Sequence, residues 1–149
     1  MQFLKILTPV LVATIVAASA PSTALAQAAN DSVLTEMAQA FRKGDRKKLA
    51  QLLPQARGHV LEPWAAYWEL KARLDEASPQ EVDAFLQRYA GTYHEDRLRN
   101  DWLLQLGKRR EWEAFAAHHA LFRMSDDREV RCYALLVDQL RGTTVASDK

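Results

Sequence analysis

Four histidines are the residues of this chain that could bind a metal ion: His59, His94, His118 and His119. The adjacent pair, His118 and His119, would project about 100° apart on a helix, so the two rings cannot hold one ion. No histidine lies three or four residues from either of them, and the other two stand alone. We therefore predict no metal site, and we expect histidines that lie at the surface or at helix ends.

Carboxylates occur in four close pairs that could supply acid–base chemistry. A glycosidase-type acid needs one carboxyl group in an apolar pocket that raises its pKa. These residues are predicted at helix starts and turns, where an anion interacts favourably with the helix dipole and with solvent. We therefore predict no catalytic carboxylate. The four pairs are Asp75 and Glu76, Glu95 and Asp96, Glu111 and Glu113, and Asp126 and Asp127.

Motifs for nucleophilic catalysis and for phosphate binding are missing from the sequence. It contains no G-x-S-x-G and no glycine-rich phosphate loop, and its five glycines mostly mark predicted helix ends. The sequence therefore predicts neither a catalytic residue nor a cofactor-binding residue.

Two further clusters of residues can be interpreted either as binding sites or as ordinary structural features. The basic run of residues 42–48, RKGDRKK, could contact an anionic polymer, but such a run is more often a solvated helix face. Trp64, Tyr67 and Trp68 could line a sugar-binding groove, although their helical spacing favours packing in the core.

Residues 1–26 have the order of a secretory signal peptide. Lys5 is the only charged residue, an apolar run follows over residues 6–20, and Ala24-Leu25-Ala26 supplies an A-x-A cleavage site. The apolar run of about 15 residues is shorter than the about 20 that span a bilayer. We predict cleavage, no stable membrane insertion afterwards, and a periplasmic or extracellular destination.

The charge and the cysteine content of the mature chain indicate which partners and which thiol chemistry to expect. The whole sequence has 20 Lys and Arg and 19 Asp and Glu, and Lys5 lies in the predicted leader, so the remainder is neutral. Neutrality argues against nucleic acid as a partner, since phosphate binding needs surplus positive charge. Cys132 is the only cysteine. Its position near Val130, Tyr133 and Leu136 predicts a buried thiol.

The remaining sequence predicts an all-α fold of about seven short helices, because no window alternates apolar and polar residues. Ser78-Pro79-Gln80-Glu81 is a capping box with proline at the first helical position. The helix that it opens carries Val82, Phe85, Leu86 and Tyr89 on one face. Together the helices predict an irregular helix-pair solenoid over residues 27–142, followed by a polar tail over residues 143–149.

The longest helical block, residues 94–115, is predicted as two helices with a break at Gly107. Leu98, Trp102 and Leu106 recur every four residues and form one apolar face. Gly107 stands where a left-handed residue would end the first helix. Trp112 begins the second apolar face. The block is thus predicted to be a packing unit.

Several phrases of this chain resemble one protein family in the same order. They are WAAYWEL at residues 64–70, VDAFLQRY at 82–89, DRLRNDWL at 96–103, Trp112 with Phe115, and CYA at 132–134. The pattern resembles the N-terminal superhelical domain of the soluble lytic murein transglycosylases and covers residues 31–141. The resemblance implies a large curved superhelix that accompanies a lysozyme-like domain. That domain uses a glutamate in a Glu-Ser motif to cleave peptidoglycan to 1,6-anhydro ends.

The sequence departs from that family at the decisive point. It contains no Glu-Ser dipeptide, so no residue can inherit the catalytic role. We expect a truncated, non-catalytic scaffold segment whose partners are peptidoglycan or the missing catalytic domain. The alternative is a stand-alone secreted adaptor that binds protein partners in a solenoid groove.

Overall fold

The computed structural model describes the backbone of residues 22–142 and the side chains of residues 31–142. Within this part the helices are joined by turns and loops without any strand, which confirms the predicted all-α class and the number of helices. The α-helices are α1 (Ser22–Lys43), α2 (Arg46–Leu52), α3 (Glu62–Ala72), α4 (Pro79–Arg88), α5 (Tyr93–Arg109), α6 (Trp112–His119) and α7 (Arg128–Leu140). A 3-10 helix, Leu53–Ala56, follows α2.

The predicted leader, residues 1–26, lies outside the described residues except for the first backbone positions of α1. The predicted tail, residues 143–149, lies outside them entirely. None of the helices in the described part is both long enough and apolar enough to cross a membrane.

Local signals set several of the helix ends. Ser78 accepts a hydrogen bond from the backbone of Glu81, and the Glu81 carboxylate accepts one from the Ser78 backbone, so the predicted capping box is confirmed. Asp45 caps α2 through the N–H of Lys48. Gly44 follows α1 with a φ of 68°, a left-handed conformation that costs glycine little.

Helix α5 forms the centre of the molecule. It packs against α3, α4, α6 and α7, while α1 and α2 pack on each other and on α3. Leu98, Trp102 and Leu106 are all buried, as their spacing predicts. Because neighbours surround α5 on several sides, its polar face is buried as well.

Two apolar clusters make up the core. One lies between α1, α2 and α3 and contains Met37 and Leu49, and the other surrounds α5 and contains Trp102 and Phe115. Trp68 packs against both clusters and joins them. The two clusters agree with the principle that a short amphipathic helix becomes stable by stacking on its neighbours.

The prediction of a break at Gly107 is wrong. Helix α5 continues to Arg109, and Arg110 adopts the left-handed conformation with a φ of 60°. Gly107 is instead a buried helical residue on which the ring of Tyr133 from α7 rests. A Cβ atom at position 107 would lie only 2.4 Å from that ring. The glycine thus permits close packing between α5 and α7.

Replacing Gly107 by alanine should therefore destabilise the fold, although alanine is the better helix former by about 1 kcal/mol. Forcing a methyl group into packed space costs about 1–3 kcal/mol, so we expect a net loss of up to about 2 kcal/mol in urea unfolding. In the Tyr133→Ala background the same change should be neutral or stabilising. Equal losses in both backgrounds would contradict the steric explanation.

Candidate functional site

A cavity of about 370 Å³ between α4, α5 and α6 is lined by several ionisable side chains. Its polar lining includes Asp83, Glu95, Arg99 and His118. Helix α5 presents Glu95 and Arg99 one turn apart, and α6 supplies His118. A carboxylate, a guanidinium and an imidazole that line one cavity are groups that could perform acid–base chemistry.

Glu95 is buried, and its carboxylate is hydrogen-bonded to two arginine side chains and one backbone N–H group. Its carboxylate accepts hydrogen bonds from Arg99, from Arg123 at 3.0 Å and from the backbone N–H of Gly91 at 2.7 Å. Burial opposes ionisation, but these bonds outweigh it and hold the pKa of Glu95 below its ordinary value. A glycosidase-type acid needs the opposite shift. The cavity therefore contains an ionised structural carboxylate.

His118 faces Arg99 and Asp83 from the opposite wall of this cavity. Its Nδ1 atom lies 3.5 Å from the Arg99 guanidinium, and its Nε2 atom lies 3.9 Å from the Asp83 carboxylate. Burial lowers the pKa of His118, with the Arg99 charge acting in the same direction and Asp83 against both. The imidazole is therefore neutral at neutral pH.

Asp96, like Glu95, is a buried carboxylate that bonds to other parts of the protein. It is 2% exposed and accepts hydrogen bonds from the backbone N–H groups of Arg123 and Met124, at 3.1 and 2.6 Å. These groups belong to the segment between α6 and α7. The Asp96 carboxylate thus fixes the connection that places α7 against α5. The prediction that Glu95 and Asp96 lie in solvent is wrong, although both do lie in the first turn of a helix.

Two further polar residues of α5 connect it to other helices. Asp101 accepts a hydrogen bond from the Tyr67 hydroxyl at 2.7 Å and pairs with Lys71 at 2.6 Å, both on α3. Asn100 donates to Asp127, the N-cap residue of α7, at 3.1 Å. The sequence reasoning missed Asp101 and Asn100. Their only signal was the unusually polar composition of α5 beside the apolar positions Leu98 and Trp102.

The other predicted carboxylates lie where the sequence placed them, in exposed or capping positions. Asp75 and Glu76 are exposed and pair with Arg46, and Glu113 is exposed and pairs with Arg141. Asp127 caps α7, and its pKa is lowered because hydrogen bonds from Asn100 and from backbone N–H groups outweigh the effect of burial. Glu111 and Asp126 are exposed.

The histidines do not converge. His119 stacks on the Phe115 ring, with 5.6 Å between ring centroids. His59 is buried and bonded to Asp31 and to the N–H of Leu61, the residue that precedes α3, so its expected role at a helix end is confirmed. Among the described residues, no group of three or more histidine, cysteine or acidic side chains is arranged to hold a metal ion.

The basic run and the aromatic cluster lie where their structural interpretations predict. Every residue of the basic run 42–48 is exposed, and Lys48 pairs with Glu36 at 3.1 Å. This confirms the solvated helix face. Tyr67 is buried, and Trp64 and Trp68 are partly buried against the core clusters, as core packing predicts. Cys132 is exposed on α7, so the prediction of a buried thiol is wrong.

The structure also predicts how stability depends on pH. Hydrogen bonds from Ser78 and Arg73 lower the pKa of Glu81 from 4.5 to about 2. Because the folded-state pKa is depressed, the stabilisation by Glu81 is complete above pH 4.5 and is lost as the pH falls towards 2.

Glu81→Gln should consequently lower the free energy of unfolding at pH 7 by less than about 1 kcal/mol, because the group is exposed. The difference from wild type should disappear near pH 2. Asp126→Asn, which changes an exposed carboxylate in the α6–α7 segment, serves as the control. A Glu81→Gln effect that grows on acidification would contradict the assigned sign.

Comparison with known proteins gave no match: no family model, no curated protein and no solved structure is significantly similar to this chain.

Proposed function

We propose that this chain is a non-catalytic helical scaffold segment of a periplasmic lytic murein transglycosylase. The observation that supports it most strongly concerns the phrase DRLRNDWL at residues 96–103, which carries the resemblance to that family. Asp96, Arg99, Asn100 and Asp101 are buried and hold α5 against its neighbours. Arg99 does so through Glu95, which is also bonded to Arg123 beyond α6.

The electrostatics of the α4–α5–α6 cavity support the same proposal. Its one buried carboxylate, Glu95, has a lowered pKa and two arginine partners. Such a group cannot donate a proton to a glycosidic oxygen near neutral pH, which is the first step in most glycoside hydrolysis. The cavity thus lacks the protonated carboxyl group that this chemistry requires. A scaffold that contacts peptidoglycan or positions a lysozyme-like domain needs no such group.

Digestion of purified peptidoglycan sacculi tests the proposal. The purified chain should co-sediment with sacculi but should release no 1,6-anhydromuropeptides, while an active lytic transglycosylase serves as the positive control. Release of anhydromuropeptides would show that the chain is an enzyme. Glu95→Gln would then show whether the cavity carboxylate is responsible. Specific capture of one periplasmic protein without any binding to sacculi would instead favour the adaptor.

A further inference from the structure

Helix α7 carries a second apolar stripe that runs from the edge of its buried face towards solvent. Val130 and Val137 are buried, Tyr133 is half-buried against Gly107, and Leu136 and Leu140 follow Tyr133 at the i+3 and i+7 positions. Leu136 is 42% exposed and Leu140 is 59% exposed. With Trp112 from α6, these side chains line an open groove of about 600 Å³, which we call the α7 groove. An apolar groove with this spacing suits a second helix.

The rim of the α7 groove is positively charged. Lys108 and Arg110 line it, and neither side chain has a hydrogen bond or an ion pair within the described residues. The neighbouring arginines do have partners, since Arg109 donates to the Asp75 carbonyl and Arg141 pairs with Glu113. Two cations beside an apolar stripe complement a partner with carboxylates at the edge of its own apolar face.

We propose that the α7 groove docks an amphipathic helix with acidic residues along one edge. This inference rests on the proposed scaffold function, and it names the surface of the scaffold at which a partner helix binds. The apolar stripe of the incoming helix would cover Leu136 and Leu140 beside Trp112. Its carboxylates would pair with Lys108 and Arg110.

Two synthetic peptides of about 18 residues test the charge and the apolar contact together. Both carry the same leucine stripe at i, i+3 and i+7, and one has glutamate where its twin has lysine at the edges. The wild-type chain should bind the acidic peptide about tenfold more tightly in fluorescence anisotropy. Lys108→Glu combined with Arg110→Glu should reverse this preference. Leu136→Ser should weaken binding about tenfold or more, because it removes a leucine contact.

Leu121→Ser is the matched control, since Leu121 is 61% exposed but lies at the α4–α5–α6 cavity. It should leave both affinities unchanged. Equal affinity for the two peptides, or no binding, would overturn the docking proposal. So would a concentration-dependent dimer in light scattering that Leu136→Ser abolishes, because the occupant would then be a second copy of this chain.

The peptide assay and sacculus digestion fail independently. If the chain binds sacculi without cleaving them but shows no preference between the peptides, only the docking proposal is overturned. If anhydromuropeptides are released, the scaffold function is overturned whichever peptide binds.

Discussion

Asp96→Ala should lower the free energy of unfolding by about 3–5 kcal/mol, which is the usual cost of removing one partner from a buried charge network. The carboxylate of Asp96 accepts backbone hydrogen bonds from Arg123 and Met124 and lies 4.0 Å from the Nε atom of Arg99. Without it, two backbone N–H groups lose their acceptor. A buried guanidinium also loses a nearby counter-charge.

The loss of stability should be large because the Arg99 guanidinium has few other partners that could replace the Asp96 carboxylate. Its Nε atom is buried without any hydrogen-bond partner in the described structure, and its other pairing, with Glu95, is shared with Arg123. A buried charge that loses part of its pairing costs more than an exposed one. Since domains of this size are stable by about 5–15 kcal/mol, the variant should be close to its unfolding threshold.

Urea unfolding followed by circular dichroism measures this effect. Asp126→Ala is the matched control, because it removes an exposed carboxylate from the same α6–α7 segment. We expect a change of less than about 0.5 kcal/mol for the control. Asp96→Asn should fall between the two, since an amide oxygen can still accept one hydrogen bond. A loss below about 1 kcal/mol for Asp96→Ala would refute the structural role assigned to this carboxylate.

The second large effect is expected at Trp102. This side chain is 1% exposed at the centre of the cluster around α5, and Arg109 lies over its ring at 5.5 Å. Trp102→Ala should cost about 3–5 kcal/mol, from lost apolar burial and from the cavity left behind.

Trp102→Phe should cost much less than the alanine variant, for a reason that is specific to this site. The indole N–H of Trp102 is buried and has no hydrogen-bond partner in the described structure. Phenylalanine keeps much of the apolar contact and removes this unsatisfied donor. The same urea experiment compares the two variants, and the Phe variant remains informative even if the Ala variant does not fold.

Trp64→Ala provides the comparison for burial, because Trp64 is only partly buried at the edge of the same cluster. Its loss should destabilise the fold less than Trp102→Ala does. Equal losses at the two positions would mean that burial around α5 does not dominate the stability.

The buried contacts of α5 explain why the sequence at residues 96–103 is rich in charged residues. Acidic and basic residues within one helix suggest a reactive or binding surface when they are considered alone. In the fold they satisfy backbone groups and side chains of α3, of α7 and of the segment before α7. These charged residues therefore have a structural role in holding α5 against its neighbours. The proposed scaffold function rests on that distinction.

The sequence by itself determined the helical class and most of the helix starts. Ser78, Asp45 and Pro63 act within the first turn of their own helices, so their effects depend on residues only a few positions away. The apolar positions of α4 are predictable for the same reason, because helical periodicity is a local property.

Only the tertiary structure decided whether Glu95, Asp96 and Cys132 are buried or exposed, and whether Gly107 ends α5. Asp96 is buried because the segment before α7, 27 and 28 residues further along the chain, brings N–H groups to it. Gly107 packs against Tyr133 and does not end α5, because the approach of α7 leaves no room for a Cβ atom. Cys132 is exposed because α7 buries the face that carries Val130 and Val137. Each outcome depends on which helices meet, and local periodicity does not specify that.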